Sequence, residues 1–180
     1  MSYGSSATDF TRGRKQATPP SILFIGLGNP ILGDDGVGWR VAAALQQDLT
    51  ADDSYAADVE IDSFALGGLS LMERLVGYNK AIIIDAVQTG QSFPGQVHEL
   101  TLEDLPDLST GHSTAAHDTS LQTALRLGRA MGAVLPDDVS IIGIEAEQVY
   151  EFSEELTPDV AAAVPIAVQK VKELLKVADC

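Results

Sequence analysis

The sequence predicts a three-layer α/β/α domain, in which helices cover both faces of one sheet. Segments typical of strands alternate with segments of helical spacing over residues 22–175, as they do in α/β proteins. The unbroken apolar run Ile82–Ile84 indicates a strand that is covered on both faces and therefore paired in parallel. The stretch Ile22–Gly38 is typical of a strand, a glycine turn and a helix. The end of such a first strand is where open α/β sheets bind ligands.

The first unit begins with the apolar strand Ile22–Ile25, and a glycine turn follows it. That turn contains Gly26, Gly28 and Asn29. A dinucleotide-binding loop would need a third glycine where Ile31 stands, so the sequence disfavours that function. Apolar residues three to four apart then predict the first helix; they are Val37, Val41, Ala44, Leu45 and Leu49.

The middle of the chain predicts three more strands and a short helix. Alternating side chains predict a second strand over Asp58–Phe64, and Leu69–Val76 has helical spacing. Lys80–Val87 is the central strand, and Gln96–Leu102 alternates again. The short connection between these last two strands predicts a hairpin, and hence an antiparallel fourth strand beside the third.

The C-terminal third predicts a helix, a strand and a longer helix. Helical spacing runs through Ala115–Met131, and Val139–Ala146 is the last buried strand. Thr157 is predicted to be the N-cap of the final helix, with Pro158 at its first position. Pro165 is expected to kink that helix or to split it in two.

Composition limits the classes of function. The chain has 180 residues and a formal net charge of −15, which disfavours nucleic acid and anionic membranes as partners. Its single cysteine, Cys180, allows no disulfide within one chain and fits a reducing cytoplasm. No apolar run reaches the length of a membrane span. Residues 1–21 are predicted to be a disordered extension, and residues 22–180 one domain.

Three side chains at comparable places could carry chemistry. Asp35 follows the first strand, Asp85 ends the third, and His117 begins the helix after the fourth. All three can lie at the carboxyl edge of one sheet, where two carboxylates and an imidazole would suit zinc or nickel. Three protein ligands would leave positions open for water or substrate. Glu145, which ends the last strand, faces the same edge and could be a general base.

Each of these residues also has a purely structural interpretation. Asp34 or Asp35 could cap the following helix, and Asp85 could accept hydrogen bonds from loop amides. His117 could lie in a solvated first helical turn, and Glu145 could serve only the structure. The two other histidines, His98 on a strand and His112 in a loop, are interpreted as surface residues. Spacing alone leaves these alternatives open.

Three blocks together resemble the nickel–iron hydrogenase maturation endopeptidases. They are GLGNPILGDDGVG (Gly26–Gly38), IIIDAV (Ile82–Val87) and HDTSLQTAL (His117–Leu125). Their order and separation are similar to those of the family over nearly all of residues 22–175. The resemblance implies a phosphorylase/hydrolase-like α/β fold with a five-stranded mixed sheet and an antiparallel fourth strand.

The resemblance also implies an activity and a site. Members remove a C-terminal extension from the hydrogenase large-subunit precursor after nickel has been inserted. The catalytic and metal-binding positions fall on Asp35, Asp85 and His117, and Asp34 would support Asp35 from the neighbouring position. The nickel would arrive in the substrate, with zinc or cadmium as a surrogate, and would report loading, polarise the scissile carbonyl or activate water. The expected enzyme is a cytoplasmic monomer whose partner is the precursor.

Two other classes of function remain open at this point. A peptidyl-tRNA hydrolase-like enzyme also starts with a strand and GLGNPG, but this chain has Ile31 in place of that last glycine. Its charge of −15 also opposes binding to tRNA. The second alternative is a non-catalytic chaperone that holds the large subunit during metal insertion. A salt-dependent tRNA gel shift would test the first alternative, and a purified precursor that is cleaved rather than only bound would separate the protease from the second.

Overall fold

A computed structural model describes residues 21–51, 59–65, 67–102 and 120–177. Five strands alternate with four helices in this part of the chain, and a short 3-10 turn precedes the first helix. In chain order they are β1 Ile22–Leu27, the turn Gly33–Gly36, α1 Val37–Ala51, β2 Val59–Phe64, α2 Gly68–Arg74, β3 Lys80–Val87, β4 Val97–Leu100, α3 Leu121–Ala130, β5 Asp138–Glu145 and α4 Pro158–Val177.

The strands form one mixed sheet in the order β2-β1-β3-β5-β4. β4 is antiparallel to β5, and the other pairs are parallel. The predicted antiparallel fourth strand is therefore confirmed, but the predicted hairpin between β3 and β4 is wrong. The N–H of Gly95 donates to the Glu145 carbonyl at 2.8 Å, and the N–H of Glu145 donates to Gln96 at 2.9 Å. The connection is thus held across the end of β5, and β4 pairs on the far side of that strand.

Helices cover both faces of the sheet, as the sequence predicts. Alternate side chains of β1 point to opposite faces, so Phe24 packs in the core beneath α1 and α4, and Leu23 in the core beneath α2 and α3. Both side chains have no exposed surface. Burial of one such side chain stabilises the fold by about 1.5–3 kcal/mol. The three-layer arrangement therefore follows from strands that are apolar on both faces.

The final helix runs through its internal proline. α4 continues from Pro158 to Val177 with Pro165 inside it, so the predicted split does not occur. The proline ring removes the hydrogen bond that an N–H at this position would give to Ala161. A continuous buried face offsets that loss; it comprises Val160, Ala163, Ala167, Val168, Val171 and Leu175.

Several predicted boundaries differ from the structure or lie outside its description. β1 continues through Gly26 to Leu27, and β4 is shorter than predicted. Ser120 caps α3 by accepting a hydrogen bond from the Thr123 N–H, whereas residues 115–119 of the predicted helix lie outside the described residues. Residues 1–20 of the predicted extension lie outside them as well. In the described part of the chain, no helix is long and apolar enough to cross a bilayer.

Candidate active site

The glycine loop after β1 brings the backbone against the turn that carries Asp35. Gly28 has a φ of +114°, which favours glycine. A Cβ on Gly28 would lie 1.7 Å from the Asp35 carbonyl oxygen, and a Cβ on Gly26 would lie 2.1 Å from that of Gly38. The indole N–H of Trp39 donates to the Gly28 carbonyl at 2.8 Å. The glycines are therefore required for close approach of two backbone segments.

The carboxylate of Asp35 is oriented by the same loop. The backbone N–H of Asn29 donates to Asp35 Oδ2 at 2.6 Å, and the Asn29 side chain accepts from the Ile31 N–H at 3.2 Å. A charge-assisted bond of this kind is stronger than one between neutral groups. Asp35 is partly exposed, so a ligand can reach this residue.

Asp34 turns away from this site and binds the connection between β5 and α4. Its side chain has no exposed surface. It accepts backbone N–H bonds from Glu147 at 3.2 Å, Gln148 at 3.1 Å and Thr157 at 2.7 Å, and a hydroxyl bond from Thr157 at 3.0 Å. These donors replace the lost solvation of the buried carboxylate. The described contacts of Asp34 thus join two distant segments, and the Thr157 hydroxyl, which was expected to cap α4, donates to Asp34.

Asp85 lies at the carboxyl end of β3, close to Asp35. Burial and, to a smaller extent, the negative charge of Asp35 raise the pKa of Asp85, a backbone hydrogen bond from Ala86 lowers it, and the net result is a pKa of about 7. Two carboxylates in one partly buried place repel each other unless a proton or a cation lies between them. Asp35 and Asp85 thus form an acidic pair at the edge where the sequence predicts the site.

Glu145 holds the connection that follows β3. Its buried carboxylate accepts the Thr89 hydroxyl at 2.7 Å and the Gly90 N–H at 2.9 Å. These contacts favour the structural alternative for this residue. His98 Nε2 lies 3.9 Å from Glu145 Oε2, which is too far for a hydrogen bond. His98 is a partly exposed residue of the edge strand β4, but this nitrogen atom is buried and has no hydrogen-bond partner within the described residues.

The third predicted ligand cannot be compared with the first two. His117 lies outside the described residues, as do Asp118 and His112. Within residues 21–51, 59–65, 67–102 and 120–177, no three acidic, histidine or cysteine side chains are grouped so that they could hold a metal. The meeting of His117 with the acidic pair therefore stays a prediction.

Sequence reasoning missed the contacts between distant segments. Thr157 is 123 residues from Asp34, and Thr89 is 56 residues from Glu145. Each of these side chains is separated from its partner by whole strands and helices. No local spacing indicates such pairs; the only signal was the presence of two adjacent acids, of which the structure directs one inward and one toward Asp85.

A family model for hydrogenase maturation proteases, HycI, matches residues 40–174. This range is three quarters of the chain. The chain belongs to the hydrogenase maturation protease family. The resemblance found in the sequence is thereby confirmed, and the enzyme class is that of a protease.

Relatives and solved structures agree with this family. The hydrogenase 2 maturation protease of Escherichia coli is 30% identical over 155 residues, which cover 86% of this chain and 90% of that protein. The structure of the maturating endopeptidase HybD from E. coli has a TM-score of 0.68 at 28% identity, with 87% and 93% of the two chains covered. A hydrogenase 2 maturation peptidase from a Thaumarchaeota archaeon gives 0.59 at 31% identity, with 86% and 97% covered. The α/β fold of this protease family is thus confirmed.

Proposed function

We propose that this protease removes the C-terminal extension of a nickel–iron hydrogenase large-subunit precursor once nickel has been inserted. The family membership supports the protease class and the link to hydrogenase maturation. The observation that carries the finer proposal is the acidic pair, Asp35 and Asp85, at the carboxyl edge of the sheet. Burial and the negative charge of Asp35 both raise the pKa of Asp85, and a divalent cation would relieve the repulsion between the two carboxylates.

The nickel belongs to the substrate in this proposal. The precursor presents its ion at the edge of the sheet, where Asp35 and Asp85 contribute carboxylate oxygens and His117 contributes an imidazole nitrogen. Imidazole and carboxylate are both ligands that nickel accepts. A precursor without nickel lacks the group that these side chains bind, so it would be held less tightly and cut more slowly. The protease would in this way test whether its substrate has been loaded.

Asp35 and Asp85 are held by different parts of the fold. Because each part is restrained, the relative position of the two residues is fixed. Asp35 sits on a turn that the Asn29 N–H and the close contact with Gly28 restrain. Asp85 belongs to the central strand β3, which pairs with β1 and β5 on its two sides. Ligands on rigid elements lose little freedom when they bind. The nickel, once seated, would place the scissile peptide bond beside these carboxylates and polarise its carbonyl.

Mass spectrometry of the precursor tests the proposal. Wild-type protein should shorten the nickel-loaded large subunit by its C-terminal extension and should leave the nickel-free subunit intact. The variant His117→Ala should abolish cleavage, because a protein ligand to the ion is lost. Asp138→Asn is the matched control, since Asp138 lies at the opposite edge of the sheet beside Lys80.

Three outcomes would contradict the proposal. Undiminished cleavage by His117→Ala would show that this histidine is not part of the site. Equal cleavage of loaded and nickel-free precursor would show that the protease does not recognise the bound nickel. Binding of the precursor without any change of mass would favour the non-catalytic chaperone instead.

A further inference from the structure

The connection between β5 and α4 carries two aromatic side chains that stand almost fully in solvent. Tyr150 is 83% exposed and Phe152 is 87% exposed, and Ile31, on the segment paired with this connection, is 47% exposed. Rings in such positions add little to folding, since large side chains stabilise a fold by being buried. Neighbouring exposed apolar side chains are typical of contact surfaces. We call Ile31, Tyr150 and Phe152 the aromatic rim.

The backbone beneath the aromatic rim is held in one arrangement. The Ser153 N–H donates to the Ile31 carbonyl at 3.1 Å, which ties the rim segments together. The Asp34 carboxylate accepts from Glu147 and Thr157, near the two ends of the connection. A surface that is already ordered loses less conformational entropy on binding than a loose loop does. The rim is therefore prepared for contact before any partner arrives.

The aromatic rim lies next to the acidic pair. Ile31 and Asp35 belong to one short segment, in which the Asp35 N–H donates to the Leu32 carbonyl at 3.1 Å. The other half of the rim is fixed to the same segment, because Leu32 pairs with Ser153. A chain that covers the rim would consequently pass close to Asp35. The rim is thus continuous with the place where the precursor is proposed to bind.

The charge of the residues around the aromatic rim indicates what kind of partner the rim can bind. Residues 147–155 contain no lysine, arginine or histidine, and all four of their glutamates are exposed; they are Glu147, Glu151, Glu154 and Glu155. The guanidinium of Arg40 contacts this connection only through the Glu154 carbonyl oxygen among the contacts described. Four exposed carboxylates share this connection with the two exposed rings, so the complementary surface has basic side chains beside an apolar pocket.

We infer that the aromatic rim docks a basic, apolar segment of the hydrogenase large-subunit precursor and sets the affinity for it. The identity of the partner rests on the proposed function, whereas the docking surface rests on the exposure, the order and the charge of the rim. Tyr150 and Phe152 are the anchors, since exposed aromatic side chains in an ordered frame dominate the energy of many interfaces. The glutamates accelerate association with a basic surface.

Paired variants of the full chain test this inference. Tyr150→Ser with Phe152→Ser removes the anchors, and Met131→Ser with Val134→Ser is the control, because these two side chains are 78% and 70% exposed near the other end of the sheet. With loaded precursor, the rim variant should raise KM about tenfold and leave kcat within about twofold. Its affinity for nickel-free precursor, measured by surface plasmon resonance, should fall by a similar factor. The control should match wild type in each assay.

Charge is tested separately with Glu151→Gln and Glu154→Gln in one variant. Association with the nickel-free precursor should slow about threefold or more at low salt, and the difference from wild type should vanish at high salt, where surface charges are screened. Circular dichroism and thermal unfolding check that each variant is folded.

Several results would overturn the inference. They are an unchanged KM and affinity in the rim variant, an equal loss in the control, or no binding of either precursor by wild type. A dimer of wild-type chains that the rim variant loses, with unchanged affinity for the precursor, would assign the rim to contact between copies. If wild type binds the precursor but never cuts it, the proposed function fails, and the affinities still decide whether the rim docks it.

Discussion

Both the backbone N–H and the hydroxyl of Thr157 donate to the carboxylate of Asp34, at 2.7 and 3.0 Å. The residue before α4 is thus joined to the turn before α1. The same carboxylate accepts two more N–H groups from Glu147 and Gln148. This one buried side chain fixes the connection that carries Tyr150 and Phe152, and it sits beside the residue proposed to bind nickel.

Replacement of Asp34 by alanine should destabilise the protein strongly. The four donors would lose their acceptor, and loss of one partner from a buried charged network costs about 3–5 kcal/mol. Urea unfolding measures the free energy. Asp137→Ala is the control, because Asp137 is exposed and should change stability by less than about 0.5 kcal/mol. A loss at Asp34 no larger than that of the control would show that the network contributes nothing to stability.

Replacement of Asp85 by asparagine should stabilise the fold at alkaline pH and not at acid pH. The folded-state pKa of Asp85 is about 7, above the unfolded value of about 4. Folding therefore favours the neutral carboxyl group. The contribution of this preference to the free energy of unfolding is complete below pH 4, declines between pH 4 and 7, and is absent above pH 7. A side chain that stays neutral avoids this decline, so the variant should gain about 2–4 kcal/mol over wild type at pH 8.

Unfolding in urea at a series of pH values between 5 and 8 checks this sign. The gain of Asp85→Asn over wild type should grow with pH across the series. Asp35→Asn is the companion variant: it leaves the effect of burial and removes the neighbouring charge that adds to it, so the loss of stability should move to lower pH. A gain that does not change with pH would exclude titration of Asp85 as its cause.

Replacement of Gly28 by alanine should disturb the site more than a matched change elsewhere. Gly28 and Gly77 both have positive φ, but only at Gly28 would a Cβ meet other atoms, since nothing lies within 4 Å of one at Gly77. Gly77→Ala should cost about 1–2 kcal/mol for the strained backbone alone. Gly28→Ala should cost about 3 kcal/mol or more, because it also displaces the Asp35 backbone.

The rate of precursor cleavage should also be affected more by Gly28→Ala than by Gly77→Ala. We expect a loss of about tenfold or more for Gly28→Ala and little change for Gly77→Ala. Thermal unfolding and the cleavage assay are run on both variants. Equal effects of the two substitutions in both assays would show that contact with Asp35 is not the reason for glycine at position 28.

The sequence predicts local features of this fold well because they depend on neighbouring residues. The predicted bounds of β3, Lys80–Val87, agree with the structure at both ends, although Asp85, which was expected to end the strand, lies inside it. The parallel pairing of β3 was predicted correctly from the apolar run Ile82–Ile84. The partner of β4 was not predicted, because it depends on the hydrogen bonds of Gly95 and Gln96 with Glu145, at the end of a strand that comes much later in the chain. The predicted split at Pro165 was wrong for a similar reason: its helix is stabilised by a face that only the tertiary fold buries.

In the candidate site, too, the features that depend on neighbouring residues were predicted, and those that depend on distant residues were not. The adjacent acids and the acid near the end of the central strand were recognised as candidate site residues, and the charge of Asp35 contributes to the raised pKa of Asp85. The sequence left open whether these acids only cap the helix, because the contacts that distinguish them come from outside the pair: residues 147–157 donate to Asp34, and the Asn29 N–H donates to Asp35. The role of Glu145 had to await the fold because Thr89 and Gly90 approach it across the sheet edge.

The strand order has a consequence for biosynthesis. β5 lies between β3 and β4 although it follows both in the chain, so a nascent polypeptide cannot complete the sheet until Glu145 has left the ribosome. Until then the isoleucine-rich strand β3 has a free side that could pair with another molecule. A transcript or a fragment that stops before Asp138 should therefore yield aggregates, and translation through β5 should be the step that makes the product soluble.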